Sequence, residues 1–280
     1  MQTASAQNGI VRRAKAAVRE FCPKPLLLWR EARYFKKYGE RELRLVRHLC
    51  QRERDAIDVG AHEGSYVHFM KRYARRVYAF EPVPSLAEAL AWKFAPRVVV
   101  RNIALSRESG TAILRIPLID GAALNGLASL NNGAGATAAV TEIAVQTRPL
   151  DEVFAGDAGF IKVDVEGHEE AVLDGAARTI ARCRPRLLIE IEEDRMQGAP
   201  ARIHAFLRRF NYRGYFVCGR TLASFETFDP TTMQRPADIA DFRAGVPRQS
   251  FDRYCNNFLF VADEEAEPLS TRIAAALQRI

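Results

Sequence analysis

The sequence predicts an α/β fold in which a mostly parallel sheet carries helices on both faces. Short apolar runs alternate along the chain with helical patterns, and this alternation is typical of parallel sheets. A glycine-containing turn follows the first apolar run, and acidic residues follow several of the others. Because ligands of such folds bind at the carboxyl ends of the strands, these residues are the first candidates for a site.

The first half of the sheet is predicted between residues 55 and 105. Residues 56–59, 77–80 and 98–103 are short runs of apolar and β-branched residues, which favour strands. Helical periodicity fills the segments between them, at residues 65–75 and 85–94. We therefore expect three neighbouring strands joined by helical crossovers.

Residues 109–150 interrupt this alternation. Ser109-Gly110 predicts a turn, and residues 111–116 and 142–147 alternate in the manner of exposed strands. Residues 120–139, which lie between them, are rich in Gly, Ala and Asn and predict a long flexible loop. The segment is expected to form a β-hairpin-like insertion.

The second half of the sheet follows the insertion and repeats the alternation. Two helices are predicted, at residues 168–181 and 201–210. The runs that predict strands are residues 160–165, 187–191, 215–217 and 257–262.

The basic charge of the chain lies at its N-terminus. Residues 1–54 hold fourteen Lys/Arg and five Asp/Glu, a net charge of +9, in a basic helical segment that Pro23 and Pro25 interrupt. A solvated helical face explains the charge most simply. Peripheral contact of residues 11–50 with anionic lipid is a second interpretation, since residues 26–29 read Leu-Leu-Leu-Trp among basic residues. No nucleic-acid-reading motif accompanies the charge, so a nucleic-acid partner is not expected.

Composition indicates an ordinary globular protein. Of 280 residues, 48% are hydrophobic and 27% charged, which excludes a chain disordered throughout. No run of eighteen apolar residues and no secretory signal is found. The five cysteines are odd in number and include no Cys-x-x-Cys pair, so reduced thiols and a cytoplasmic location, with or without contact to a membrane surface, are expected.

The first candidate site is the turn Asp58-Val59-Gly60-Ala61-His62-Glu63-Gly64-Ser65, between a strand and a helix. Its spacing departs from the Gly-x-Gly-x-x-Gly pattern that admits a pyrophosphate. Asp58 and Glu63 would repel a pyrophosphate, whereas the ammonium and sulfonium groups of S-adenosylmethionine are cationic. Glu81 ends the next strand, where an acid can accept hydrogen bonds from both hydroxyls of a ribose.

The second candidate site is the acidic stretch Lys162-Val163-Asp164-Val165-Glu166-Gly167-His168-Glu169. Strand alternation places Lys162, Asp164 and Glu166 on one side, and Glu190 ends the strand predicted next to it. Several acids at one sheet edge perturb one another's pKa values, which is typical of functional sites.

This stretch resembles the Lys-x-Asp-x-Glu-Gly-x-Glu signature of the FkbM family of S-adenosylmethionine-dependent methyltransferases. The resemblance covers roughly residues 55–262, and further matching motifs occur in order. They are the turn at residues 58–64, Phe80-Glu81-Pro82, Asn102-Ile103-Ala104-Leu105-Ser106, Pro149-Leu150-Asp151, residues 172–176, residues 185–190 and Asn257-Phe258-Leu259-Phe260. Residues 125–130 resemble a loop that the family often carries beside the acceptor.

The resemblance implies a class I methyltransferase (Rossmann-like) fold with a seven-stranded, mostly parallel sheet whose last strand is antiparallel. It also implies S-adenosylmethionine as cofactor and methylation of a hydroxyl on a sugar, glycolipid or small natural product. Glu81 would hold the ribose. The methionine part of the cofactor would lie by Asp58, Gly60 and Gly64 with their loop neighbours Ala61, His62 and Ser65, the adenine by Asn102, Ile103 and Ala104, and the reacting centre by Asp164.

Methylation of a hydroxyl requires a base, and Asp164, His168 and Glu190 are the candidates for it. The sequence does not choose among them. Asp164, Glu166 and Glu190 could instead hold Mg²⁺ or a similar hard cation, although no ligand spacing demands a metal. A non-catalytic cofactor-binding module and an N-methyltransferase remain the alternative functions.

The expected organisation is a basic helical extension at residues 1–50, a methyltransferase domain at 51–265 with the insertion at 109–150, and a C-terminal helix at 266–280. The expected partner is a small-molecule or carbohydrate acceptor. The oligomeric state stays open.

Overall fold

The computed structural model describes residues 23–119, 122–123, 128–130, 139–235, 238 and 254–279. Its strands are β1 Asp55–Val59, β2 Val77–Phe80, β3 Val98–Arg101, β4 Ala104–Leu105, β5 Gly110–Ile119, β6 Ala122–Ala123, β7 Val140–Arg148, β8 Ala158–Val163, β9 Arg186–Glu190, β10 Tyr212–Cys218, β11 Thr221–Ser224 and β12 Asn257–Ala262. Its α-helices are α1 Lys24–Tyr38, α2 Val46–Leu49, α3 Ser65–Met70, α4 Pro84–Phe94, α5 Leu150–Val153, α6 Glu169–Asp174, α7 Ala177–Cys183, α8 Ala199–Arg208, α9 Pro230–Met233 and α10 Asp263–Leu277, with short 3₁₀ turns at Arg41–Arg44 and Phe225–Thr227.

The main sheet has the strand order β11-β10-β12-β9-β8-β1-β2-β3. Strands β3, β2, β1, β8 and β9 pair in parallel, and β12 enters antiparallel between β9 and β10. The predicted α/β fold with a mostly parallel sheet is therefore confirmed, as is the antiparallel last strand. The strand number is corrected from seven to eight, because β11 folds back on β10 as a hairpin at the sheet edge.

The insertion forms a second sheet in the order β4-β7-β5-β6. Strands β5 and β7 pair antiparallel from Gly110 opposite Thr147 to Pro117 opposite Val140, as the hairpin prediction requires. A small apolar core of its own includes Leu114, Ile116 and Val145. Most of the loop predicted at residues 120–139 lies outside the described residues.

Two elements of the second half of the sheet differ from the prediction. Strand β8 stops at Val163, two residues before the end of the apolar run. The helix predicted over residues 168–181 is divided into α6 and α7 around Gly175. A Cβ at Gly175 would lie 2.0 Å from the carbonyl oxygen of Ser106, so the close approach of these two backbone segments requires glycine at the junction.

Residues 40–50 pack into the apolar core on the sheet face that also carries α3, α4 and α10. Leu43, Leu45, Val46 and Leu49 are buried there. Helix α1 lies outside this layer with no fully buried residue, and Glu31 joins it to the domain through Lys93 and His68, at 3.0 Å each. The opposite sheet face is covered by the helices between β7 and β10. The part of the basic helical segment that precedes Pro23 lies outside the described residues.

No helix in the described ranges is long and apolar enough to cross a membrane. Four of the five cysteines lie in these ranges, and all four are free thiols.

Candidate active site

A cavity of about 250 Å³ opens at the carboxyl ends of the parallel strands. The cavity is lined by the turns after β1 and β8, by the ends of β2 and β9, and by part of the insertion. This is the edge at which open α/β sheets bind their ligands. The volume is close to the lower end of the roughly 300–1,000 Å³ typical of small-molecule pockets.

Gly60 fixes the turn after β1. Its φ is +77°, and a Cβ would lie 1.9 Å from the carbonyl oxygen of Asp164. The peptide N–H groups of Gly60 and Ala61 both donate to the Phe80 carbonyl, at 2.9 and 3.1 Å, so the turn is anchored to β2 as well. The backbones after β1 and β8 therefore meet at a point that only glycine allows.

Glu81 is held at the end of β2 by two peptide groups. Its Oε2 accepts from the His62 N–H at 2.7 Å, and its Oε1 accepts from the Val83 N–H at 2.9 Å. The side chain is 3% exposed, and this burial raises the pKa of Glu81 to about 7, against the lowering effect of the two hydrogen bonds. Each oxygen keeps a second lone pair for a ligand hydroxyl.

Lys162 is the buried cation of the cavity. It is fully buried on β8, with its Nζ 3.7 Å from Asp164 Oδ2 and 3.8 Å from Glu190 Oε2. Burial alone would lower the pKa of Lys162, but Asp164, Glu190, Glu40 and Asp58 raise it above the usual value. One ammonium group thus compensates the charge of several carboxylates in a site where an unpaired charge would be costly.

Asp164 interacts with most of the other acids of the cavity. The pKa of Asp58 is raised to about 7. Burial is the largest cause, Lys162 acts to lower the pKa, and the charge of Asp164 acts to raise it. The same Asp164 charge also raises the pKa of Glu81, Glu166 and Glu169. Its side chain is 33% exposed, more than the 15% of Glu190, so Asp164 combines a central position with access to a ligand.

His168 and Glu166 lie on the loop that follows β8. His168 Nε2 is 3.0 Å from Ser106 Oγ, and burial together with Arg107 lowers the pKa of His168, which keeps the ring neutral near pH 7. Glu166 has φ +52° and pairs with Arg195 at 3.0 Å. A residue with a branched or long side chain at positive φ stores strain, and such strain is typical of ligand-binding loops.

The remaining wall of the cavity is apolar. Val83, Ile103 and Leu105 come from the segments after β2 and β3. The insertion adds side chains at the rim, and Ser129 attaches it to the β8 loop by donating to the Glu166 carbonyl at 2.8 Å. The insertion residues that line the cavity are Leu114, Ala128 and Leu130. Ala128 and Leu130 belong to the stretch expected beside the acceptor, of which residues 125–127 lie outside the described ranges.

The cavity collects most of the residues that the sequence singled out. Gly64 and Asn102 do not line it. Gly64, at φ +88°, begins α3, and a Cβ there would press on Leu90 and Phe94. The Asn102 amide donates to the carbonyls of Glu81 and Pro82, at 2.9 Å each, and so stabilises the backbone at the end of β2. The predicted residues that do line the cavity are Asp58, Gly60, Ala61, His62, Ser65, Glu81, Ile103, Ala104, Asp164, His168 and Glu190.

Sequence reasoning missed two polar residues of the cavity, Glu40 and Tyr66. Tyr66 Oη donates to Glu40 Oε2 at 2.7 Å, and Asn257 Nδ2 approaches the same oxygen at 3.4 Å. Glu40 lies in the N-terminal segment outside the matching motifs. A polar residue at the second position of the helix after the glycine turn was the only available signal, and it pointed to Tyr66 alone.

The structure does not support the proposed metal site. Among the described residues, no group of three or more His, Cys, Asp or Glu side chains has a geometry that could hold an ion. The Lys162 ammonium lies beside Asp164 and Glu190, where the cation would be needed. Glu166, the third expected ligand, turns to Arg195 instead.

The side chains of the cavity fit S-adenosylmethionine better than a phosphate-bearing ligand. Carboxylates line one part of it, which favours the cationic sulfonium and ammonium groups, and repels phosphate. Glu81 is an acceptor for a ribose diol. The apolar wall formed by Val83, Ile103 and Leu105 is suited to an adenine ring.

Comparison with known families gives one match, over residues 58–214, to the family model described as the methyltransferase FkbM domain. The match covers the glycine turn, Glu81, the insertion, the β8 loop and Glu190. It ends before β11 and β12 and begins after Glu40. Comparison with curated proteins gives no match.

Among solved structures, the chain is similar to a methyltransferase FkbM from Methylobacillus flagellatus, at 16% identity and a TM-score of 0.47, over 82% of this chain and 50% of that one. The chain thus spans half the length of that protein. An rRNA methylase from Streptococcus thermophilus aligns at 9% identity and a TM-score of 0.43, over 79% and 93% of the two chains. A precorrin-6y C5,15-methyltransferase from Geobacter metallireducens aligns at 15% identity and a TM-score of 0.36, over 64% and 73%.

Proposed function

The chain belongs to the FkbM methyltransferase family, and on that basis we propose that it transfers a methyl group from S-adenosylmethionine to a hydroxyl of a sugar, glycolipid or small natural product. One observation carries the proposal: a single cavity gathers an acid from near the end of each of four parallel strands. These acids are Asp58, Glu81, Asp164 and Glu190.

One part of the cavity binds the ribose and adenine of the cofactor, and the other binds its methionine portion. Glu81, already oriented by the His62 and Val83 peptide groups, accepts the ribose hydroxyls. Val83, Ile103 and Leu105 exclude water from around the adenine. Asp58 and the backbone of the Gly60 turn lie toward the methionine portion. When bound, the cofactor supplies a methyl group on a sulfonium, which is already activated for transfer.

The protein's main catalytic contribution is then alignment of the acceptor oxygen with the methyl carbon. Such positioning can contribute roughly 7–11 kcal/mol to the reduction of a barrier. The cavity provides it through fixed turns: Gly60 and the Asp164 carbonyl are in contact, and the Asp164 N–H donates to the Val59 carbonyl at 3.0 Å. The acceptor would enter from the side of the insertion, whose Leu114, Ala128 and Leu130 form part of the wall.

Asp164 is the proposed base that removes the hydroxyl proton. It is more exposed than Glu190 and Asp58, and Lys162 lies 3.7 Å away to balance its charge. Glu190 already accepts a hydrogen bond from Asn256 Nδ2 at 2.6 Å, and His168 is engaged with Ser106. Glu190 therefore orients Lys162, and His168 orients the loop after β8.

Calorimetric titration with S-adenosylmethionine tests the cofactor assignment. Micromolar binding is expected for the wild type and loss of it for Glu81→Ala. Asp151→Ala is the matched control, because the Asp151 side chain is only 8% exposed and also accepts from two peptide groups, those of Arg178 and Thr179, but lies outside the cavity. Absence of binding by a folded wild-type protein would refute the proposal. Equal loss in both variants would show that Glu81 acts only through folding.

Turnover of an acceptor found by screening tests the role of Asp164. Asp164→Asn is expected to lower kcat by about 10²–10⁴-fold without loss of cofactor binding, because a positioned base contributes that much. A loss of less than about 10²-fold would favour an amine acceptor, which attacks without prior deprotonation. Cofactor binding with no turnover of any hydroxyl or amine would favour a non-catalytic module.

A further inference from the structure

Helix α1 presents one continuous outer face to solvent. Six of its exposed positions repeat at intervals of one, three and four residues, which places these six on one side of the helix. This α1 outer face consists of Leu26, Trp29, Arg30, Arg33, Tyr34 and Lys37. Three of these are large apolar or aromatic side chains, and Leu26, Trp29 and Tyr34 are 48%, 57% and 60% exposed. Side chains of this size rarely remain this exposed together without a partner.

The charge of α1 is separated by side. The helix contains five basic residues and a single acid, Glu31. Glu31 points inward, where its two oxygens pair with Lys93 Nζ and His68 Nε2 at 3.0 Å each. Burial acts to raise the pKa of Glu31, but the contacts with His68 and Lys93 outweigh it, and the pKa is lowered overall. Glu31 is therefore charged and pairs with residues of the domain. The one acid of α1 is therefore on the inner side, and Arg30, Arg33 and Lys37 give the outer face its positive charge.

Both tryptophans of the chain are exposed, and each has a basic residue of α1 over its ring. Trp29 is on α1, with the Arg33 guanidinium 5.0 Å from its ring centre. Trp92, on α4, is 42% exposed and has the Lys24 ammonium 5.6 Å from its ring. Tyr38, at the end of α1, is similarly placed under Lys37, at 4.9 Å. Three exposed aromatic rings on or beside α1 therefore each have a cation of α1 over them.

We propose that the α1 outer face binds the surface of a bilayer that contains anionic lipid. Helices that lie in the plane of a membrane interface combine a basic polar surface with Trp, Leu and other apolar side chains that enter the headgroup region. Tryptophan and tyrosine concentrate at the same depth, because one side of each ring is apolar and the other can be hydrated. The charge complementarity is direct, since the cytoplasmic leaflet is negatively charged.

Two features of the surface favour lipid over a polyanion such as RNA. Leu26, which is 48% exposed and lies about one helical turn before Trp29, offers no hydrogen-bonding group to a phosphate backbone or a base. The cationic groups of Lys24, Arg33 and Lys37 lie over aromatic rings and so occupy ring faces on which a base would otherwise stack. The proposal is independent of the methyltransferase assignment, because no residue of the α1 outer face lines the cavity.

Vesicle sedimentation with the full chain tests the proposal. We expect the protein to bind vesicles of phosphatidylcholine with 30% phosphatidylserine at about physiological salt, and not to bind pure phosphatidylcholine. Arg30→Glu/Arg33→Glu should lower the partition coefficient at least about 25-fold, since each basic residue near an anionic surface contributes about five-fold. Binding should also weaken as salt is raised.

Arg178→Glu/Arg182→Glu is the matched control. It reverses the same number of charges on one helix, α7, which covers the opposite face of the sheet, and both arginines are exposed. This variant should bind anionic vesicles like the wild type. An equal loss in both variants would overturn the proposal, because the attraction would then follow net charge and not the α1 outer face.

Intrinsic fluorescence supplies a second, local readout. With only Trp29 and Trp92 in the chain, the emission maximum should shift to shorter wavelength when anionic vesicles are added. Trp92→Phe leaves Trp29 as sole reporter and should retain the shift. No sedimentation and no shift would overturn the proposal, as would binding of an RNA oligonucleotide by a protein that ignores vesicles.

Discussion

Glu81, at the end of β2, accepts hydrogen bonds from two peptide N–H groups, whereas Asp164 and Glu190, after β8 and at the end of β9, share the single ammonium of Lys162. Both arrangements stabilise carboxylates in one cavity. The first uses neutral dipoles that belong to the backbone and cannot be removed by substitution. The second depends on one side chain, and the loss of that side chain leaves two acids without a cation.

The difference is visible in the titration behaviour. Two peptide groups do not offset the burial of Glu81, and its pKa remains raised to about 7. Lys162 lowers the pKa of Asp58 and is itself held in the charged form by four carboxylates. Glu81 therefore titrates near neutral pH with two backbone donors as its partners, whereas Asp58, whose pKa is also raised to about 7, titrates within a mutually dependent set of charges around Lys162.

Replacement of Lys162 should have the largest effect. Lys162→Met is expected to lower the free energy of unfolding by about 3–5 kcal/mol, the cost of leaving a buried ion pair without one partner. The loss should grow as pH rises, since the remaining acids then have raised folded-state pKa values and must ionise without a cation. Urea denaturation at pH 6 and pH 8 measures both effects.

Arg202→Met is the control for that experiment. Arg202 pairs with Glu170 at 2.7 Å, but its side chain is 49% exposed, so the expected cost is below about 1 kcal/mol. Two outcomes would contradict the prediction. One is an equal loss of unfolding free energy in both variants, and the other is a loss for Lys162→Met that is smaller at pH 8 than at pH 6.

Substitution of Gly60 probes the contact between the two regions. Gly60→Ala places a Cβ against the Asp164 carbonyl, whereas Gly198→Ala has the same positive φ, +73°, and meets only the flexible end of Arg202. Both variants suffer the left-handed backbone strain. The Gly60 variant should lose about 1–3 kcal/mol more, as overpacking of a rigid contact does, and should also bind the cofactor more weakly. Thermal denaturation gives the difference, and equal losses would rule out a rigid contact at Asp164.

The pH dependence of cofactor binding should show the smallest effect. Protonated Glu81 can no longer accept from both ribose hydroxyls, so affinity should fall as pH decreases through about 7, by at most about ten-fold per pH unit. Asp58 titrates in the same range and adds to the slope. In Glu81→Gln the slope should become shallower, while Asp151→Asn should keep the wild-type profile. Calorimetry at pH 6, 7 and 8 distinguishes them, and an unchanged slope in the Gln variant contradicts the assignment.

The sequence was informative where chemistry follows directly from a strand end. Asp58, Glu81 and Asp164 were predictable because a short apolar run places the residues beside or after it at a known sheet edge. Glu166 shows where this reasoning stops. The alternation of side chains along a strand predicts that Glu166 lies on the same side as Lys162. Strand β8 ends at Val163, however, and Glu166 itself has a φ of +52°, so its side chain pairs with Arg195.

The remaining differences arise from contacts between distant parts of the chain. Glu40 reaches the cavity only because residues 43–49 are buried beside α3, and no local pattern reports that packing. Asn102, whose place beside the adenine stays a prediction, donates its amide to the carbonyls of Glu81 and Pro82, and no local pattern reports that contact. The eighth strand depends on a tight hairpin at Gly219, whose φ is +60°.

Glu40, Tyr66 and Asn257 meet at one carboxylate oxygen, although 217 residues separate the first from the last. The segment that matches the family, residues 58–214, holds only the middle member of the three. Strand β12, which seals the outer edge of β9, also lies beyond it. An exchange of this segment between two relatives would therefore bring together a cavity wall and a sheet edge that had not evolved together. In chimeras, the flanks need to be inherited with the motif-bearing core.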